Sequence, residues 1–131
     1  VQVKASKKYD NSTLDEQSAA DLIERLDILM NKEELYLDNE ISLLMLAAKL
    51  QVTPHHLSQA LNQQLKKNFY DYINSARIQR AKEMLSDTGF QKTAIIDVAY
   101  QVGFNNKTSF NNAFKKHTQV TPSKFRANLA A

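Results

Sequence analysis

The chain has 131 residues, 43% of them hydrophobic, enough for one domain or two small subdomains that share an element. It has no cysteine, which excludes disulfides, thiolate catalysis and cysteine-ligated zinc, and no apolar run nears the roughly 20 residues of a membrane span. The net charge of +3 divides unevenly: residues 1–40 hold five Lys/Arg and ten Asp/Glu (net −5), and residues 41–131 hold twelve and four (net +8). A basic second part suits a polyanionic partner.

Two glycines, two prolines and little β-branched alternation predict an all-α fold. The first helix is expected over about 14–30. Ser12 or Thr13 would cap it, and Asp15 or Glu16 would complete a capping box. Its apolar positions Ala19, Leu22, Ile23, Leu26, Leu29 and Met30 follow helical spacing. Residues 31–39 read as a loop. A second helix over about 41–50 should bury Leu43, Leu46, Ala47 and Leu50, with the small Ala47 at the close helix crossing. Thr53 then caps a third helix over about 54–65, with Pro54 at its first position. A long linker helix is expected over about 70–86, ended near Gly89. Thr93 is the expected cap of a helix over about 94–102. Gly103 makes the turn, Asn105 caps a helix over about 106–117, and Thr121-Pro122 starts the last one.

Part of this pattern occurs twice. Leu43, Leu46, Ala47, Leu50 and Val52 match Ile95, Val98, Ala99, Val102 and Phe104 at an offset of 52. After one inserted residue the offset is 53, and Leu57 and Leu61 match Phe110 and Phe114. An apolar helix, a short break, a polar cap and a second helix with a polar face outline a helix-turn-helix. Two copies suggest two grooves of one duplex read by one chain.

The outer faces of the two second helices carry His, Ser, Gln, Asn, Lys and Thr, side chains that hydrogen-bond base edges in a major groove. No Asp or Glu occurs between Thr53 and Asn68, or between Gly103 and Ala131, where phosphates would repel it. Lys66-Lys67 and Lys115-Lys116 follow the two helices, where they complement the helix dipole and also reach flanking phosphates. Enzyme signals are weak. His55 and His56 diverge around a helix instead of converging as an i, i+4 metal pair would, and there is no glycine-rich phosphate loop. No catalysis, cofactor or metal is expected.

The run FYDYINSARIQRAKEML over 69–85, IDVAYQVGFN over 96–105, SFNNAFKK over 109–116 and TPSKFR over 121–126 resembles the DNA-binding domain of the AraC/XylS family of bacterial transcription regulators. The resemblance covers about residues 35–126. It implies seven helices in two helix-turn-helix subdomains bridged by a linker helix, with both recognition helices in successive major grooves. The amphipathic helix near the N-terminus lies outside the usual domain, so the division expected is 1–34, 35–68, 69–88 and 89–131. By position in the family motif, the resemblance implies base reading by His55, Ser58 and Gln59, and by Lys107, Thr108, Asn111 and Asn112. Lys107 would prefer a guanine edge, and Gln59 or Asn112 an adenine edge. Thr53, Lys66, Lys67, Arg77, Asn105, Lys115, Lys116 and Arg126 are the candidates for DNA backbone contacts or for holding the subdomains.

The family commonly has glycine after each recognition helix, where this chain has Lys66 and Gln119. Either a left-handed backbone at each costs about 1 kcal/mol, or the turn is built differently. The expected function is sequence-specific DNA binding at an asymmetric promoter site. The resemblance implies activation more often than repression, with RNA polymerase recruited. The start at Val1 instead of Met suggests a longer protein whose sensor region is missing. A cytoplasmic location is expected, unless that region anchors the intact protein to a membrane. The alternative is a helical protein–protein interaction module, which exposed apolar residues or acids on the recognition faces would favour. A fused alkyl-transfer repair activity fails here for lack of cysteine.

Overall fold

The computed structural model describes residues 14–130, and among these the secondary structure is entirely helical. Seven α-helices follow one another: α1 Glu16–Glu33, α2 Leu43–Leu50, α3 Pro54–Leu65, α4 Phe69–Ser86, α5 Ile95–Gln101, α6 Lys107–Thr118 and α7 Pro122–Ala130. Short 3-10 turns occupy Leu35–Leu37 and Thr88–Phe90. The amphipathic N-terminal helix is one of the seven. None of these helices is long and apolar enough to cross a membrane.

The chain divides into two compact units. The first joins the described residues up to Leu35 with Glu40–Tyr72, and the second joins Tyr36–Asn39 with the described residues from Ile73 onward. α4 therefore contributes its first turn to one unit and the rest to the other. In the first unit α1 and α2 both pack on α3. The core is Ala19, Leu22, Ile23, Leu26 and Met30 of α1, with Leu46, Ala47, Leu50, Leu57, Ala60 and Leu61. Tyr72 Oη donates to Asp27 Oδ1 at 3.0 Å, tying the start of α4 to α1. Burial, then the neighbouring Asp27 carboxylate, pushes the Tyr72 hydroxyl well above its usual pKa.

In the second unit α6 packs against α5 and α7. Its core holds Ile78, Ala81, Met84 and Leu85 of α4 with Val98, Ala99, Val102, Phe104, Phe110 and Phe114. A chain of rings runs through it. Phe104 and Phe110 lie 5.3 Å apart, Phe110 and Phe114 5.7 Å, and Phe114 and Phe125 5.4 Å. These tilted and edge-on geometries are the favoured ones for aromatic pairs.

Several boundaries differ from those expected. Ser12 and Thr13 lie outside the described residues, and the cap of α1 is Asp15, which accepts from Ser18 N–H at 2.8 Å. That bond favours the carboxylate and holds Asp15 below its usual range. The cap thus supports α1 above pH 3.8 and weakens as pH falls through the lower folded value. Ser42 caps α2 two residues later than predicted, and Leu43 is only half-buried. The linker ends at Ser86 as expected, and Gly89 falls inside the next 3-10 turn. Ala94, not Thr93, precedes α5, and no side chain caps that helix.

Both α3 and α6 end in left-handed residues. Lys66 has φ 56° and Gln119 φ 71°, the strained one of the two alternatives the missing glycines left open. Cβ crowding there costs energy that glycine avoids. Lys66→Gly and Gln119→Gly should each raise unfolding stability by about 1 kcal/mol. Urea titration of each variant checks this, and unchanged midpoints would count against strain at these caps.

Candidate nucleic-acid interface

The two copies close their first helices in the same way. Gln51 N–H donates to Ala48 C=O and Val52 N–H to Ala47 C=O at 3.0 Å; Gly103 N–H donates to Tyr100 C=O and Phe104 N–H to Ala99 C=O at 3.0 Å. This double return closes each first helix with one left-handed residue, Gln51 in one copy and Gly103 in the other. An apolar residue follows each, Val52 and Phe104.

The inserted residue of the second copy is Asn105. Asn106, not Asn105, caps α6, accepting from Ser109 N–H at 2.8 Å, while Thr53 accepts from His56 N–H at 3.1 Å as expected. This corrects Asn105 as a cap. The extra residue lengthens the turn, so Asn106 is the first residue placed to reach the Ser109 amide. Asn105 stands exposed one residue before the cap.

With the caps aligned at an offset of 53, the candidate residues fall in register. His55, Ser58 and Gln59 correspond to Thr108, Asn111 and Asn112. Spacings of three and four put each set on one helix face, opposite Leu57 and Leu61 or Phe110 and Phe114, which are all fully buried. His55, Ser58, Lys107, Thr108 and Asn112 are exposed, and Gln59 and Asn111 are half-buried. Asn62 and Gln63 extend the α3 face by a turn and line the same open concavity as His55, Ser58 and Gln59. Neither is among the base readers that the resemblance implies. Their spacing of seven and eight from His55 was the available signal.

The backbone candidates separate. Lys66, Lys115 and Lys116 are exposed at the ends of α3 and α6, and Lys67 and Thr53 are half-buried. Arg77 overturns the expectation of a phosphate contact. It is 9% exposed, and its Nε and Nη2 donate to Tyr36 C=O at 2.6 Å and Asp38 C=O at 2.9 Å. Its guanidinium also lies 5.4 Å from the Phe104 ring centroid. Burial lowers its pKa and nearby Asp38 opposes that shift. Arg77 holds the 36–39 segment within the second unit. Arg126 is half-buried and donates from Nη2 to Phe90 C=O at 3.3 Å, so part of its fork serves that loop.

Comparison with known proteins agrees with this architecture. The model of a helix-turn-helix domain matches residues 46–128. A helix-turn-helix transcriptional regulator from the cgkA 5′ region of Pseudoalteromonas carrageenovora is 26% identical over the whole chain and 78% of its own length. One from Staphylococcus aureus (strain COL) is 32% identical over 98 residues, 75% of this chain. The chain spans only 13% of that relative's length. Among solved structures, the C-terminal domain of AraT, a response regulator from Geobacillus stearothermophilus, superposes with a TM-score of 0.70 at 27% identity. That match covers 82% of this chain and 84% of AraT's domain. An AraC-type regulator from Chromobacterium violaceum shares the fold, with a TM-score of 0.72 at 22% identity over 86% of this chain and 95% of its own. The chain belongs to the AraC/XylS family of helix-turn-helix transcription regulators, as a DNA-binding domain and not an enzyme.

Proposed function

We propose that α3 and α6 read base edges in two successive major grooves of one asymmetric site. The observation that carries this reading is the pair of equivalent, acid-free polar faces that follow helix ends closed by the same pair of backbone bonds but bear different side chains. His55, Ser58, Gln59 and Asn62 supply one face, and Lys107, Thr108, Asn111 and Asn112 the other. Groove spacing of roughly 34 Å sets the separation the two helices must match. Lys66, Lys67, Lys115 and Lys116, with Thr53, Asn105 and Arg126, contact phosphates and fix the register. Unlike reading heads on one chain make a palindrome unnecessary.

The intact regulator is further proposed to be cytoplasmic, to carry a sensor region outside this chain, and to activate transcription by recruiting RNA polymerase. Titration of a labelled duplex tests the phosphate contacts. With about six phosphates neutralised, affinity falls by about 10³ between 50 and 200 mM salt. A flat salt response would favour a protein-interaction module instead. Binding selection on random duplexes tests the base contacts. Gln59→Ala and Asn112→Ala should each relax one separate part of the selected site, and failure of either to alter it would contradict bipartite readout.

A further inference from the structure

The reading face of α3 is met by the backbone just before α1. Leu14 N–H donates to Gln59 Oε1 at 3.2 Å, and Gln63 Nε2 donates to Leu14 C=O at 3.1 Å. The two glutamines stand one turn apart on α3 and clamp a single residue from 45 and 49 positions earlier. Among the described residues Gln63 Oε1 is buried with no hydrogen-bond partner. The clamp fixes which half of the Gln59 amide turns away from the chain.

We propose that Leu14 makes Gln59 a donor-only reading residue that prefers guanine to adenine, an inference that rests on base reading by α3 as proposed above. Recognition of adenine by glutamine is bidentate. The amide oxygen accepts from adenine N6 while the nitrogen donates to N7, so both must face the same edge. Here Oε1 is turned to the Leu14 amide, and Nε2 is the half left for a base. Guanine alone shows two adjacent major-groove acceptors, N7 and O6, to such a donor. Adenine shows N7 alone, beside the N6 donor, thymine shows only O4, and cytosine shows a donor. The counterpart of Gln59 is exposed Asn112, and no protein group among the described residues holds its amide. Asn112 keeps both halves and keeps the preference for adenine. The same amide chemistry thus yields different specificities on the two helices.

Selection on random duplexes with the full chain, its Gln59→Ala variant and its Leu14→Pro variant tests this. The base whose preference vanishes in Gln59→Ala is the Gln59 contact. In the unaltered chain it should be guanine, favoured over adenine by about tenfold. Leu14→Pro lacks the N–H and should bring adenine to parity there, with circular dichroism checking that α1 persists. If Leu14→Pro fails to fold, the base chosen by the unaltered chain still decides. Any base other than guanine at that position overturns the donor-only assignment while leaving base reading intact. A folded Leu14→Pro variant that keeps the guanine preference overturns the role of the clamp. A selected site identical with and without the Gln59 side chain removes base reading at this residue, and the inference with it.

Discussion

Gly103→Ala should destabilise the second unit by about 3 kcal/mol or more, among the largest effects of any single methyl added to this chain. A Cβ built at Gly103 would lie 2.6 Å from Tyr36 O and 2.8 Å from Arg77 Nε. Neither neighbour can yield easily. Tyr36 O is backbone, and the guanidinium is anchored on that same carbonyl and on Asp38 C=O. The backbone adds its own penalty, because φ is 105° and L side chains avoid it. The repeat supplies a control. Gln51 closes the equivalent turn at φ 60° and ψ 40°, a left-handed conformation a non-glycine residue can adopt at modest cost. Gln51→Gly should therefore stabilise by about 1 kcal/mol, while Gly103→Ala lowers the melting temperature by about 10 °C or more. Thermal melts of both variants decide it. An unaltered Gly103→Ala melt would mean that Arg77 and the 36–39 segment are free to move aside. Arg77→Met should cost about 2–3 kcal/mol, since it removes charged donors from two carbonyls.

Phe110→Ala is expected to cost about 3–5 kcal/mol, read as a shift of the urea midpoint at an unchanged slope. Phe110 is fully buried and stands between Phe104 and Phe114, so its loss leaves a cavity that interrupts both ring contacts. Its counterpart Leu57 is also fully buried, and Leu57→Ala should cost about 2–5 kcal/mol. Phe110→Leu keeps most of the volume and should cost less than half as much as Phe110→Ala. Equal losses for the two Phe110 variants would show that ring packing, and not volume, dominates at this site.

Much of this architecture was legible in the sequence because its signals are local. The duplicated apolar positions Leu46, Ala47, Leu50, Leu57 and Leu61, with Val98, Ala99, Val102, Phe110 and Phe114, are all buried. Helical spacing alone puts them on one face. Thr53-Pro54 and Thr121-Pro122 start helices for the same local reason, a side-chain acceptor before a proline that needs no donor. Asn105 was misassigned as a cap because two adjacent asparagines are equivalent in sequence. Only the length of the turn after Phe104 chooses Asn106.

Composition and periodicity by themselves determined the all-helical class, the doubled motif and the two acid-free faces, since each depends on residues within a turn or two of one another. Contacts between distant residues were decided by the tertiary structure. On the linker helix Arg77 carries a charge that sequence assigns to the outside, and its burial depends on carbonyls about 40 positions earlier. Which way Gln59 turns its amide depends on Leu14, 45 positions away. No local pattern encodes either, because a polar side chain takes its direction from whichever donor or acceptor the fold brings to it.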